Sequence, residues 1–223
     1  MLINDDQNQE IFIFGAGGHS KVVSDCIKAN LPDCRQPDLV FVDIEDRGDI
    51  SGHSVISESE FFSFGGGKRL DVVIAIGDNA MRSSVRDRLL DKGDYSFPVV
   101  IHPRAMVAPN AVIRNGALIC AGAIVGPDAV IGSFTILNHA CIVDHDCSVS
   151  DFASLGPNAT LSGGVVVGEY AMLGASSNVL PSIYIGARSV VGAGSVVVSD
   201  VPEGQTVRGV PAKAAPCSNQ QIC

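Results

Sequence analysis

The sequence predicts a small α/β domain with a parallel sheet, followed by a parallel β-helix. Two observations lead to this fold class. In the second half of the chain, a branched aliphatic residue occupies every sixth position from Val107 to Val197 without exception. In the first half, an apolar run precedes a glycine-rich turn and a helical pattern, an order that is typical of parallel α/β sheets. The two halves are therefore expected to fold in different ways.

The period of six defines the β-helix. Its aliphatic positions are Val107, Ile113, Ile119, Val125, Ile131, Leu137, Val143, Val149, Leu155, Leu161, Val167, Leu173, Val179, Ile185, Val191 and Val197. A small residue precedes many of them by two positions, so both side chains face the same side of a strand. Three hexads would close a triangular coil, and coils would stack at about 4.8 Å. A helical reading fails because neither 3.6 nor 3.5 residues per turn matches this period.

Shorter patterns predict the elements of the first domain. We expect strands at residues 11–14, 39–43, 70–77 and 97–101, and helices at residues 20–30 and 79–92. The segment between the second and third strands is rich in Gly and Ser and is predicted to be a loop. Strands that alternate with helices in this way indicate βαβ units and a parallel sheet.

We place the domains at residues 1–102 and 103–215, with a tail at 216–223 that we expect to be disordered.

Composition limits the possible partners and the compartment. The net charge of -9 argues against nucleic acid or an anionic membrane surface as the main partner. The polar, acidic start and the lack of a long apolar run predict a cytoplasmic protein without a membrane span. Seven cysteines without a CxxC pair favour neither a metal site nor a disulfide framework.

The glycine-rich turn after the first predicted strand is a candidate anion site. Backbone N–H groups and the helix dipole converge at such a turn, which holds phosphate well. Other polar residues follow neighbouring strands at the same carboxyl edge, where open parallel sheets bind ligands. The candidate residues are Gly15, Gly17, Gly18, His19, Asp43, Gly77 and Asn79. Ser20 stands where the dinucleotide fingerprint has its third glycine, so a mononucleotide fits better than NAD.

His145 is the candidate catalytic residue of the β-helix. It lies two positions after a core aliphatic residue, at a corner of the coil, between Asp144 and Asp146. A carboxylate on one imidazole nitrogen would fix the tautomer and make the other nitrogen a general base. One coil of eighteen residues further on is Gly163. Its amide would lie about one strand spacing away and could stabilise an oxyanion.

Three segments together resemble a known family. The segments IFIFGAGGHSKVV, ILNHACIVDHDC and GVPAK occur in this order and span nearly the whole chain. They look like the bacterial sugar-nucleotide acyltransferases of the left-handed β-helix class. This family includes N-acetyltransferases of UDP- or GDP-linked amino-deoxy sugars and the related sialic acid O-acetyltransferases. The resemblance implies a homotrimer, acetyl-CoA as cosubstrate in grooves between neighbouring prisms, and a Rossmann-like first domain that holds the nucleotide.

The resemblance also implies roles for individual residues. His145 matches the catalytic base, Gly163 the amide donor to the tetrahedral intermediate, and Asn138 an asparagine near the acyl centre. Asp146 matches the position that orients the imidazole, although Asp144 could do the same. The implied acetyl-CoA contacts are Gly174, Ala175, Gly192, Ala193 and Lys213. The glycine turn of the first domain matches the family's phosphate turn, and Asp43 and Asn79 would meet the ribose or base.

Three functions are compatible with the sequence. The first is N-acetylation of a nucleotide-linked amino sugar by direct attack, with a histidine base and no metal. The second is O-acetylation of a sialic-type sugar, in which the same base would activate a hydroxyl group. The third is a noncatalytic solenoid that serves as a scaffold or sugar sensor and does not bind acetyl-CoA. We expect the first, and the sequence identifies neither the nucleotide base, the sugar, the amine position nor the glycan pathway.

Overall fold

The structure is a computed structural model that describes residues 10–30, 38–44, 48–50, 52–63 and 69–215. The chain divides into two compact units, Met1–Pro103 and Arg104–Cys223. The tail expected at residues 216–223 lies outside the described residues. No helix in the described ranges is long and apolar enough to cross a membrane.

The first unit is built around a mainly parallel sheet. Its elements are β1 (Ile11–Phe14), α1 (Gly18–Lys28), β2 (Leu39–Asp43), β3 (Gly48–Ile50), β4 (His53–Ser57), α2 (Glu58–Ser63), β5 (Leu70–Ile74), α3 (Asn79–Lys92), β6 (Tyr95–Ser96) and β7 (Val100–Ile101). The sheet order is β3-β4-β2-β1-β5-β6, and β3 pairs antiparallel with β4 while the other pairs are parallel. This confirms the α/β class predicted from the sequence.

The central strand explains why the first apolar run is continuous. All four residues of β1 are buried, because a central strand of a parallel sheet is covered on both faces. On one face, the ring of Phe61 from α2 packs edge-on against Phe12 and Phe14, with centroid distances of 4.9 and 4.8 Å. Because both faces of the sheet are covered, its loops are accessible at the edges.

Two predicted segments of the first unit differ in the structure. The loop predicted between residues 44 and 69 contains β3, β4 and α2 among its described residues. The single strand predicted at residues 97–101 is replaced by the separate strands β6 and β7. Pro98 lies between them, and a proline has no N–H for the ladder, which explains the interruption.

The second unit is the predicted left-handed β-helix. Its strands are β8 (Met106–Val107), β9 (Val112–Ile113), β10 (Leu118–Ile119), β11 (Ile124–Val125), β12 (Val130–Ile131), β13 (Ile136–Leu137), β14 (Ile142–Val143), β15 (Ser148–Val149), β16 (Ser154–Leu155), β17 (Thr160–Leu161), β18 (Val166–Val167), β19 (Met172–Leu173), β20 (Asn178–Val179), β21 (Tyr184–Ile185), β22 (Val190–Val191), β23 (Val196–Val197), β24 (Thr206–Arg208) and β25 (Lys213–Ala214). Every predicted core position from Val107 to Val197 ends one of these strands.

The strands stack into three parallel ladders. The first ladder is β10-β13-β16-β19-β22-β24, the second is β8-β11-β14-β17-β20-β23, and the third is β9-β12-β15-β18-β21. From β8 to β20 each strand pairs with the strand eighteen residues later, as Val125 does with Val143, and β22 pairs with β24 at a spacing of sixteen residues. The stacked aliphatic residues form the core, and Leu137, Val143 and Leu155 are 0% exposed. The register predicted from the period of six is therefore confirmed.

The turns between strands use the left-handed backbone region. Non-glycine residues adopt it at the third position of many turns, with φ of 58° at Asp146 and 59° at Phe152. Such angles are uncommon for residues with a Cβ atom. Their regular recurrence shows that the corner geometry, and not the residue type, sets them. The turns after the first ladder form a line that we call the first edge, and those after the second ladder form the second edge.

Candidate active site

His145 projects from the second edge, in the turn after β14. Its side chain is 59% exposed, as the corner position predicted. Imidazole Nδ1 lies 2.7 Å from Asp146 Oδ2. The left-handed backbone of Asp146 turns its carboxylate back toward the neighbouring ring. The ring therefore has one nitrogen engaged by a carboxylate.

The two carboxylates beside His145 have different contacts. The backbone N–H of His145 donates to Asp144 Oδ1 at 2.8 Å, whereas Asp146 contacts the ring itself. Asp144 thus fixes the turn, and Asp146 orients the imidazole. This geometry distinguishes the two carboxylates that the sequence left open.

Both carboxylates influence the ionisation of His145. The pKa of the imidazole is raised above its ordinary value, mainly by the hydrogen bond to Asp146 and then by the charge of Asp144. Both effects favour the charged form of the ring. A higher pKa makes the neutral ring a stronger base, although less of it is present at low pH.

Gly163 lies directly against the other side of the imidazole. A Cβ atom at this position would be 2.5 Å from both Cε1 and Nε2 of His145, so any side chain here would displace the imidazole. In the described β-helix, the amide N–H of Gly163 donates to no acceptor. An unused N–H beside the free imidazole nitrogen is what an oxyanion site requires.

A thiol inside the prism holds the same peptide group. Cys147 Sγ donates to the carbonyl oxygen of Ser162 at 3.2 Å. The Ser162 carbonyl and the Gly163 N–H belong to one trans peptide, so they point in opposite directions. Because the carbonyl points to a buried thiol, the N–H is directed away from the core. Cys147 occupies the small-residue register of the repeat, and that register gives no sign of this bond in the sequence.

Cys147 itself is unsuited to be a nucleophile. Its side chain is buried, and burial raises the pKa of the thiol. The reactive form of a cysteine is the thiolate, which burial disfavours. The thiol therefore remains a hydrogen-bond donor, and the imidazole of His145 is the accessible reactive group at this corner.

The predicted acyl-donor residues lie mainly on a different edge. The residues placed on the first edge are Asn138, Gly174, Ala175, Gly192 and Ala193. A Cβ at Gly174 would be 2.5 Å from the backbone N of Ala193, so the successive turns are in tight contact. Asn138 Oδ1 accepts the N–H of His139 at 2.8 Å. Lys213 is exposed on β25. Within one chain, the first edge and the second edge, which carries His145, therefore lie on different corners of the triangular β-helix.

The glycine turn of the first unit leaves a helix start open. Gly17 is the N-cap of α1 and provides no side-chain cap, and the first turn contains no acidic residue. Gly17 and Gly18 are exposed and His19 is half-buried. Gly15 has φ of 106° and packs tightly on the segment after β5, where a Cβ would lie 3.0 Å from the carbonyl oxygen of Ala75. The turn therefore presents backbone N–H groups to solvent.

The acidic residue that ends β2 contacts this turn. Asp43 Oδ2 accepts the N–H of Ala16 at 3.3 Å, and Oδ1 accepts the N–H of Ile44 at 2.7 Å. Asp43 is half-exposed, so it stands at the carboxyl edge next to the glycine turn.

The segment after β5 contains the predicted residues Gly77 and Asn79 and a buried arginine that the sequence did not single out. Asp78 caps α3 by accepting the N–H of Met81 at 2.8 Å. Asn79 is 8% exposed, and its Oδ1 accepts from the buried Arg82 at 2.8 Å. Gly77 is exposed. An arginine in a helical pattern is ordinarily expected to be exposed, so the sequence did not indicate that Arg82 is buried against this segment.

Within the described residues, no group of three His, Cys, Asp or Glu side chains could hold a metal ion. The chemistry available at the His145 corner is that of a base and an amide donor. Such a pair suits the transfer of an acyl group to a nucleophile that must lose a proton.

Comparisons with known proteins agree with this geometry. Residues 10–89 match the PglD N-terminal domain, and residues 164–199 match the bacterial transferase hexapeptide (six repeats). No curated protein matches the chain significantly. Both matched regions fall within the units described above.

Solved structures extend the likeness to nearly the whole chain. The acetyltransferase domain of PglB from Neisseria gonorrhoeae FA1090, in complex with acetyl coenzyme A, is 34% identical, with 93% of this chain and 100% of that chain covered and a TM-score of 0.86. PerB from Caulobacter crescentus, in complex with CoA and GDP-perosamine, is 36% identical over 92% and 97%, with a TM-score of 0.84. WeeI from Acinetobacter baumannii AYE is 25% identical over 93% and 100%, with a TM-score of 0.85.

Fold and site together define an acyltransferase enzyme of the left-handed β-helix class. More specifically, the chain belongs to the family of sugar N-acetyltransferases that includes the PglB acetyltransferase domain and PerB. The family resemblance seen in the sequence is thereby confirmed.

Proposed function

We propose that this protein transfers an acetyl group from acetyl-CoA to the amine of a UDP- or GDP-linked amino-deoxy sugar. The observation that carries the proposal is the imidazole of His145, which lies between the Asp146 carboxylate and the Gly163 backbone. A base and an unused amide donor on one corner fit direct attack on a thioester. The kinship to PerB, solved with CoA and GDP-perosamine, supports the substrate class.

The proposed chemistry is a single transfer without an acyl-enzyme. The sugar amine attacks the thioester carbonyl, and Nε2 of His145 takes the proton that the nitrogen loses. The Gly163 N–H stabilises the oxyanion of the tetrahedral intermediate. As that intermediate collapses, the C–S bond breaks and the proton passes to the departing CoA thiolate. The products are the N-acetylated sugar and free CoA thiol.

The donor would lie along the first edge of a prism. Its turns contain Gly174, Ala175, Gly192 and Ala193, and such small residues let an extended pantetheine arm approach the backbone closely. Asn138 would lie at the acyl end of this line, and Lys213 would pair with a CoA phosphate.

A homotrimer would complete the site. Within one chain the first edge and the His145 corner are on different corners, so a neighbouring prism must bring them together. In the proposed trimer, acetyl-CoA lies in the groove between the first edge of one chain and the second edge of the next. The active site is then shared between two copies of the chain.

The nucleotide would be held by the first unit. Its phosphates fit the uncapped start of α1, where Gly17 and Gly18 are exposed. Asp43 stands beside this turn at the edge where parallel sheets bind ribose. The proposal places the reaction in the cytoplasm, because both substrates are cytoplasmic metabolites.

Product analysis tests this proposal. The purified chain is incubated with acetyl-CoA and a panel of UDP- and GDP-linked amino-deoxy sugars, with free sialic-type sugars as the comparison. We expect CoA release only with a nucleotide-linked amino sugar, and an amide in the product by mass spectrometry and NMR. Acetylation of a hydroxyl group of a free sugar, or no CoA release with any acceptor, would overturn the assignment.

A further inference from the structure

Arg82 is a buried charge that donates hydrogen bonds to the loop between β5 and α3 and to the first residue of α3. It is 1% exposed, although it lies in the first turn of a surface helix. Nη1 donates to the carbonyl oxygens of Ile76 at 2.8 Å and Gly77 at 3.0 Å. Nη2 donates to Oδ1 of Asn79 at 2.8 Å. The guanidinium thus binds two carbonyl oxygens of the loop and the side chain at the start of α3.

Burial of this group requires such a set of partners. Burial lowers the pKa of Arg82 to about 10, with an opposing influence from Asp78, so the guanidinium remains charged at neutral pH. A buried charge is tolerated only when its donors are satisfied. The planar fork of Arg suits several fixed acceptors at once, which the single ammonium of Lys does not.

The loop that Arg82 holds is part of the carboxyl edge where the nucleotide is proposed to bind. Gly77 and Asp78 are exposed there, while Asn79 is turned inward to the guanidinium. The segment just before the loop packs against the glycine turn, because a Cβ at Gly15 would lie 3.0 Å from Ala75 O and from Ile76 Cγ1. A shift of Ile76 would therefore move both loops of this edge.

We propose that Arg82 is a positioning residue for the nucleotide-sugar, and this rests on the function proposed above. Its buried hydrogen bonds hold segment Ile76–Asn79 in place, so that Gly77 and the glycine turn keep the spacing that the nucleotide requires. Arg82 itself does not touch the ligand. Its effect is on recognition of the acceptor and not on the acetyl donor or the chemical step.

The test compares Arg82→Lys and Arg82→Met with a matched control. Arg88→Met removes an arginine of the same helix that pairs with Glu58 at 2.6 Å and does not contact the loop. Affinity for GDP and UDP is measured by calorimetry on the full chain, and KM for each substrate and kcat are measured with the accepted nucleotide-sugar. Thermal unfolding reports on any general loss of stability.

We expect weaker nucleotide binding and a KM for the nucleotide-sugar that rises about tenfold or more in Arg82→Met, since small misplacements of binding groups have large effects. Arg82→Lys should be intermediate, and KM for acetyl-CoA and kcat should stay near those of the unaltered chain. Arg88→Met should change none of them. If Arg82→Met does not fold, Arg82→Lys carries the test alone.

Two outcomes would contradict the proposals, and they are distinguishable. If Arg82→Lys and any folded Arg82→Met keep the nucleotide affinity and KM of the unaltered chain, or lose them only in parallel with Arg88→Met, the role of Arg82 is wrong. If the unaltered chain binds neither GDP nor UDP and uses no nucleotide-sugar, the proposed function fails first.

Discussion

His145 and Asp146 form a hydrogen-bonded pair, and different features of the chain determine the position of each side chain. The imidazole is exposed because it stands at a corner, and the carboxylate reaches its Nδ1 because the backbone of Asp146 is left-handed. Asp tolerates this backbone region better than most residues. The local turn geometry therefore fixes both the tautomer and the direction of the free nitrogen.

Asp146→Asn should shift the pH dependence of the reaction. Asparagine offers Nδ1 no charged acceptor, so the hydrogen bond that contributes most to the raised pKa of His145 weakens, and the pKa falls toward its ordinary value of 6.5. Because the neutral ring is the base, the acidic limb of kcat/KM should move to lower pH. The plateau should fall about tenfold, since a weaker base transfers the proton more slowly. The profile is measured between pH 5 and about pH 9, a range chosen to cover the histidine titration.

Asp144→Asn is the control for this profile. Its amide oxygen can still accept the N–H of His145, and the charge of Asp144 raises the pKa of the ring less than the hydrogen bond to Asp146 does. The limb should therefore move less than in Asp146→Asn. An unchanged acidic limb in Asp146→Asn would show that His145 does not supply the observed ionisation.

Cys147→Ala should reduce turnover without affecting substrate binding. The thiol holds the Ser162 carbonyl, and its loss frees the peptide that carries the Gly163 N–H. We expect kcat to fall about tenfold, less than the 10²–10³ that loss of an oxyanion donor costs. Steady-state kinetics with both substrates check this result.

Cys141→Ala provides the matched control. Cys141 is buried at the same register of the preceding hexad, so the change in volume is equal. Its kcat should stay within about twofold of the unaltered chain, because no oxyanion peptide depends on it. Equal losses in the two variants would point to packing and not to the peptide.

At the scale of elements, the helices α1 and α3 of the first unit begin differently. Asp78 caps α3, whereas α1 begins at Gly17 without a side-chain cap. Capping groups stabilise helix starts, so an open start gives up stability. The open amides of α1 are then available to an anion such as a phosphate.

Gly17→Asp should separate stability from binding. The backbone of Gly17 is extended and nothing lies within 4 Å of the position that a Cβ atom would take, so the side chain fits. An Asp cap should stabilise the unit by about 1 kcal/mol while its charge repels phosphate. Urea unfolding should show the gain, and calorimetry with GDP and UDP should show the loss of affinity.

Gly17→Ser is the companion variant. It can cap the helix without a charge, so it should stabilise α1 and weaken nucleotide binding less than Asp. Undiminished nucleotide affinity in Gly17→Asp would argue against a phosphate at this turn.

A comparison of predicted and observed elements shows which sequence signals are sufficient to predict an element. The run at residues 11–14 and the hexads predicted β1 and the β-helix strands, because strict periods reflect burial directly. The segment that contains β3, β4 and α2 has no such period, since short edge elements bury only one or a few side chains, such as Phe61. The Arg82 contacts were equally hidden, because they depend on how α3 docks on the sheet.

At the scale of the whole molecule, the proposed site is divided between edges of a repetitive prism. The spacing of eighteen residues predicted that Gly163 lies above His145, and the structure places them in contact. Contacts along the prism axis follow from this spacing alone. Contacts between copies do not, because the period describes one chain and contains no information about its neighbours.

Mixed trimers should reveal whether the site is shared. His145→Ala and Asn138→Ala alter different edges, and each alone should be nearly inactive. When the two are co-expressed, a groove between unlike chains can combine an intact His145 with an intact Asn138. Activity should therefore return in the mixture, measured as CoA release per trimer. Sedimentation as a monomer, or no recovery in verified mixed trimers, would contradict a shared site.

The most direct test of the account is acetyl-CoA turnover by His145→Ala with the nucleotide-linked amino sugar that the unaltered chain accepts. Since the side chain is exposed and lies outside the core, thermal unfolding should not change. We expect kcat to fall by about 10²–10⁴, the usual contribution of a general base. A folded variant with a rate close to that of the unaltered chain would contradict base catalysis by His145.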